Sequence, residues 1–109
     1  MARQRLSFDK TEIVLIDTES KSPTVHNLRS DNLVRLRLVT KRVFALYRFV
    51  EDQALEFHSR DKIEPILLRR RRNKKLFDGY VNSTRKFCET NQIPFVDDTQ
   101  ADDKTLLND

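Results

Sequence analysis

Leu36, Val39, Val43, Leu46, Val50 and Phe57 recur in steps of three and four residues, broken only where Gln53 and Ala54 stand in the place of an apolar residue. Apolar residues at that spacing line one side of an α-helix, and about three heptads of it make an a/d seam of the coiled-coil kind. Thr40, Tyr47 and Ala54 lie beside the seam and widen it, as a helix packing inside a bundle requires. Just upstream, Ser30-Asp31-Asn32 offers short polar side chains that accept hydrogen bonds from the first free amides of a helix. Leu33-Val34-Arg35-Leu36-Arg37-Leu38 also alternates partly as a strand does, but the longer helical period outweighs it. With one glycine and three prolines in 109 residues, the tight-turn signals of a β-meander are scarce. Charged residues make up 35% of the chain against about 25% in globular proteins, which suits solvated helices.

Ser59-Arg60-Asp61 interrupts the pattern, and Pro65 is tolerated only in the first turn of a helix, so a break falls near residues 58 to 62. The spacing predicts a second helix from there to about Thr90. Ile63, Ile66, Phe77, Tyr80 and Phe87 form one stripe of it, with Leu67, Val81 and Cys88 alongside, Arg70 and Asn73 making its middle polar, and Pro94 ending it. The expected fold is therefore all-α, with two long helices in a hairpin or a coiled-coil-like assembly. The expected organisation is a flexible segment over residues 1–29, a helical domain over 30–92 and a disordered acidic tail over 93–109. From Pro94 onward that tail carries five aspartates against one lysine.

The net charge of +4 favours anionic partners without specifying one. A single cysteine, Cys88, excludes an internal disulfide and suits a reducing compartment. No apolar run approaches the roughly 18 residues needed to span a bilayer, and the start of the sequence lacks the apolar core of a secretory signal. A protein that is neither membrane-bound nor secreted is expected, which makes the glycosylation pattern at Asn82-Ser83-Thr84 a chance match. Catalysis is not expected either. His26 and His58 have no metal-ligand spacing, Cys88 has no histidine near it in sequence, a glycine-rich phosphate loop is missing, and Glu51-Asp52 reads as a solvated pair. No cofactor, metal or small-molecule substrate is expected.

The strongest local signal is Arg69-Arg70-Arg71-Arg72-Asn73-Lys74-Lys75, six positive charges in seven residues. On a helix such charges repel at the i, i+3 and i, i+4 spacings, and an anionic partner relieves that repulsion. Three readings compete: a nuclear-import signal built on Arg69, Arg70, Arg71, Arg72, Lys74 and Lys75, a phosphate-contacting surface on DNA or RNA, and a solvated face neutralised by the acidic tail. Arg35, Arg37, Lys41, Arg42 and Arg48 add positive charge to the first expected helix.

Glu12-Ile13-Val14-Leu15-Ile16-Asp17-Thr18-Glu19-Ser20 resembles a SUMO-interacting motif, a short aliphatic run followed by acidic residues and serine. The resemblance implies that Ile13, Val14, Leu15 and Ile16 add as a strand to a partner's sheet edge while Asp17 and Glu19 meet its basic rim. A plain structural strand looks the same. Ser22-Pro23 is a candidate proline-directed phosphorylation site in the same stretch. Leu46-Tyr47-Arg48, followed by Phe49, resembles the tripeptide of the mitochondrial LYR family of small three-helix proteins, although more than forty residues precede it here.

The functional expectation is a non-enzymatic interaction protein, a subunit of a nuclear or chromatin-associated complex, that meets a protein partner or a second copy through the seam Leu36, Val39, Val43, Leu46, Val50 and Phe57. A DNA- or RNA-binding module using the basic second helix is the alternative, and a mitochondrial LYR-type assembly factor the third. Nuclear residence is expected, with cytoplasm or mitochondrion as the other possibilities.

Overall fold

The computed structural model describes residues 4–18, 22–45 and 47–99, with the side chains of residues 43 and 45 left aside. Its architecture is two β-sheets and one helix, which overturns the all-α expectation and the coiled coil with it. Strands β1 (Gln4–Phe8), β2 (Glu12–Asp17) and β3 (Thr24–Arg29) form an antiparallel sheet in the order β1-β2-β3. The second sheet has the order β6-β5-β4-β7, built from β4 (Leu33–Ala45), β5 (Arg48–Ser59), β6 (Ile66–Arg69) and β7 (Phe95–Asp97), the last running parallel to β4. A 3-10 turn (Arg70–Arg72) and helix α1 (Phe77–Asn91) lie between β6 and β7.

The supposed seam is a hairpin read end to end. Leu36 pairs with Phe57 and Val43 with Val50 across the β4·β5 ladder, so the heptad-like spacing arises from residues placed symmetrically about a turn. Val39 pairs with Ala54 on the opposite face of the sheet from Leu36. Leu36, Val39 and Phe57 are buried, whereas Leu46 and the side chain of Val43 lie outside the described residues. The partial alternation from Leu33 to Leu38 was the governing signal. A bulge between Leu33 and Arg35 resets the two-residue period, so that Leu33 and Leu36, three residues apart, are both buried in the core.

Turn chemistry without glycine explains why a β fold went unseen. The amide of Asp9 donates to the Glu12 carbonyl at 2.8 Å, and that of Asn32 to the Arg29 carbonyl at 3.0 Å. Ser30-Asp31-Asn32 thus turns β3 into β4 instead of capping a helix, for the same short side chains serve both tasks. Residues 4–17 and 24–29, expected to be flexible, form the first sheet. Within the expected acidic tail, Ile93 is buried and 95–97 form β7; residues 100–109 lie outside the described residues.

Both sheets and the helix share one core. Leu6, Ile13, Leu15 and Leu28 come from the first sheet, Leu36, Leu38, Leu55, Phe57 and Leu68 from the second, and Phe77, Val81, Phe87 and Cys88 from α1. Each such burial is worth about 1.5–3 kcal/mol for a large aliphatic or aromatic side chain. Of the two expected helices, only the last half of the second exists. Its stripe Phe77, Val81, Thr84 and Cys88 has helical spacing and faces the core. Gln92 ends α1 in the left-handed region (φ 58°), and the Ile93 amide donates to the Cys88 carbonyl at 2.9 Å, a Schellman closure followed by Pro94.

Candidate functional site

β4 and β5 are far longer than their neighbours. β7 reaches only Leu36 to Leu38 on one side and β6 only Ala54 to Phe57 on the other. Residues 41–52 therefore form a two-stranded arm that projects past the sheet. A strand pair alternates its side chains between two faces, so Leu36, Leu38, Thr40, Arg42 and Phe44 share one face with Phe57, Leu55, Gln53, Glu51 and Phe49. That face begins in the core, leaves it at Thr40 and Gln53, and ends on two phenylalanines.

At the tip, Ala45 pairs with Arg48, and Tyr47 stands in the turn between them. Tyr47 has φ 64°, in the left-handed region that costs a residue bearing Cβ about 1–2 kcal/mol. Its surface is 96% exposed, and Phe44 and Phe49 are 64% and 62% exposed. The two phenylalanine rings meet edge-on at 5.3 Å between centroids, and the Arg42 guanidinium lies 5.1 Å above the Phe49 ring. Lys41, Arg42 and Arg48 are the charged residues of positions 41 to 50, all positive.

Where the arm's inner face leaves the core, a cleft of about 530 Å³ opens between Thr40, Glu51, Asp52 and Gln53 on the hairpin and Arg70, Arg71 and Lys74 after β6. Its two walls are fastened together. Arg70 Nε donates to Gln53 Oε1 at 2.9 Å, and the Arg71 backbone N–H donates to Asp52 Oδ1 at 3.2 Å. The buried Asp52 carboxylate also lies 3.9 Å from Arg69 Nε. Arg70 in addition donates to Asp78 at 2.6 Å and covers the Phe77 ring at 4.6 Å. That hydrogen bond and the Arg70 charge hold the Asp78 carboxyl below its ordinary range.

The basic run is thus divided between two tasks. Arg69 and Arg70 are engaged by carboxylates of the fold, and Arg72 Nη1 sits 3.9 Å from Asp17. Arg71, Lys74 and Lys75 are exposed and have no ion pair among the described residues. Asn73, inside the run, is buried and bonded to Gln4. No family model matches the chain, and neither the curated proteins nor the solved structures give a match.

On the opposite face of the second sheet, Glu56 is buried among Arg37 (3.3 Å), Lys41 (3.2 Å) and His58 (3.0 Å). Burial pushes its carboxyl up, but the hydrogen bonds of His58 and Lys41 and the charges of Lys41 and Arg37 outweigh that and hold it below its usual range. Arg37 also bonds Asp98 at 2.8 Å, which ties the chain after β7 to β4. This cluster is saturated by its own counter-charges. Among the described residues no group of histidine, cysteine, aspartate and glutamate side chains could hold a metal ion, and no helix is long and apolar enough to cross a membrane.

Ile13, Val14, Leu15 and Ile16 belong to β2, the middle strand of the first sheet, with both backbone edges paired and Ile13 and Leu15 fully buried. Strand addition to a partner would require β1 or β3 to leave first. Tyr47 and Arg48 of the tripeptide lie at a hairpin tip, and the fold is two sheets and one helix, so the three-helix fold implied by the LYR resemblance is not the fold present. Sequence reasoning missed the arm's aromatic tip. Phe44 and Phe49 standing symmetrically about Leu46-Tyr47, with Arg42 and Arg48 close by, was the available signal.

Proposed function

We propose that this chain is a small nucleic-acid-binding protein, which holds a phosphate backbone in the Arg71–Lys74 cleft and presents the aromatic arm to it. The observation that carries this reading is continuity. Thr40 and Gln53 in the cleft, Arg42 beyond them and the Phe44–Phe49 pair at the end share one face of one hairpin. Cations alone would suit any anion, and exposed aromatics alone any apolar surface; together along one track they suit a polymer of alternating phosphates and flat rings. An exposed aromatic in a strained conformation at the hairpin tip supports the same reading, because strain of this kind concentrates at functional positions.

The chain acts by binding, without chemistry of its own, but through a different surface from the expected helical seam, of which Leu36, Val39 and Phe57 are buried inside the fold and Val50 is half-buried on the hairpin. An import receptor requires an accessible basic run. Arg69 in a strand, Arg70 to Arg72 in a 3-10 turn and three of these four facing carboxylates favour phosphate contact over an import address.

Arg42, Arg71 and Lys74 lie along the track, and Arg48 near the tip and Lys75 next to Lys74 in sequence add two more exposed cations. Fluorescence anisotropy with a labelled oligonucleotide across a salt series tests the reading. About three to five phosphate contacts give log K against log [salt] a slope of about −2 to −4. Replacing Arg71 and Lys74 together by alanine should make that slope shallower by about one and a half. A flat response, or no binding at low salt, overturns the proposal.

A further inference from the structure

We infer that the polymer this site takes is single-stranded, with unpaired bases stacked on Phe44, Phe49 and Tyr47 while the cleft holds the phosphates behind them. The inference rests on the nucleic-acid reading above and sharpens it. A duplex encloses the faces of its bases and offers only phosphates and base edges. Phenylalanine has no group with which to read an edge, and the two at the arm's end are more than three-fifths exposed. What such rings offer is a flat apolar face, and the complementary ligand surface is the face of an unpaired base.

The geometry sets a length. From the Thr40–Gln53 pair to the Ala45–Arg48 pair is five residues, or about 17 Å at strand rise. Bases stacked 3.4 Å apart cover that distance in about five nucleotides. Arg42 lies midway and holds the Phe49 ring from one side, which fixes a platform ring in place and puts a positive charge beside the path.

An anionic lipid surface also attracts aromatic and basic residues, but interfacial groups sink about 5–10 Å at one level. Here the cleft cations lie well behind the tip, and an extended strand reaches both.

The test compares thymidine oligomers of about 3, 6 and 12 nucleotides with a hairpin duplex of matched length and with vesicles containing phosphatidylserine, using the full chain at low salt. The proposal expects tighter binding to the single strand than to the duplex, a gain in affinity from 3 to 6 nucleotides that then levels off, and a loss of about tenfold or more from each of Phe44→Ala and Phe49→Ala. Both side chains are exposed, so the variants should keep the parent's circular dichroism and melting temperature. Equal or tighter binding to the duplex, or unchanged affinity in both alanine variants, overturns the inference while leaving the nucleic-acid reading standing. Binding to neither polymer overturns both. Vesicle binding that depends on the aromatics, without oligonucleotide binding, replaces both with a lipid-surface function.

Discussion

Cys88 lies on the inner side of α1 with 1% of its surface exposed, and burial pushes its thiol up from the ordinary 9.0 to about 11. The consequence for stability has a definite sign. Below pH 9 the thiol is neutral in both folded and unfolded chains, so it contributes its full apolar packing. Between about pH 9 and 11 the unfolded chain releases the proton and the folded chain keeps it, and stability falls by something of the order of 3 kcal/mol over that window. Denaturant melts at a series of pH values should show this decline, and Cys88→Ala, whatever it costs through the lost sulfur, should flatten it. The same burial makes the thiol inert, because the thiolate is the reactive form. An aromatic disulfide reagent at pH 8 should label Cys88 only after denaturant is added. Immediate labelling of the folded protein would show that α1 does not seat this residue as described.

The β4·β5 hairpin joins the core to the arm, and under the proposed function its tip places stability and binding in opposition. Tyr47→Gly removes the Cβ penalty of the left-handed conformation, about 1 kcal/mol, and removes the exposed ring as well. Because the arm past Thr40 and Gln53 has no neighbouring strand among the described residues, local opening is expected there, and the gain should appear as about fivefold slower hydrogen exchange at the hairpin amides close to the tip. Oligonucleotide affinity should fall at the same time. Quickened exchange would mean that the tip is not strained, and unchanged affinity that it is not a contact. The same hairpin explains what was legible in the sequence. Alternation from Leu33 to Leu38 and the apolar stripe of Phe77, Val81 and Cys88 were visible, and each marks an element that exists. The turn was not visible, since Leu46-Tyr47 carries none of the glycine or asparagine that usually marks a two-residue connection. Without the turn, residues paired across it, such as Val43 with Val50, read as neighbours along a helix. The basic run was legible as charge, but its division into structural and exposed members depends on Asp52, Asp78 and Asp17, which only the fold brings near.

At the scale of the whole molecule, the two sheets meet along β1 and β6, where side chains and not a continuous ladder make the join. The Gln4 amide donates to Asn73 Oδ1 at 3.1 Å, Asn73 Nδ2 donates to Gln4 Oε1 at 3.1 Å and to the Arg69 carbonyl at 3.0 Å, and Gln4 Nε2 reaches the Leu67 carbonyl at 2.9 Å. Both side chains are almost wholly buried, so no water replaces a lost partner cheaply. Asn73→Ala leaves the Gln4 amide and the Arg69 carbonyl unsatisfied, at about 1–3 kcal/mol for a buried group. Asn73→Asp costs more at neutral pH, because it aims a charged acceptor at Gln4 Oε1 and the Arg69 carbonyl, where a donor stood. The join includes Asn73, next to Lys74 of the cleft wall, so its loosening also releases that wall. Since the core runs through both sheets and α1, the damage should not stay at the seam: the urea midpoint drops with an unchanged slope, and fluorescence of the tyrosines and backbone dichroism lose their signal together. Two separated transitions in the Asn73 variants would mean instead that the sheets fold as independent units and that the shared core does not bind them into one.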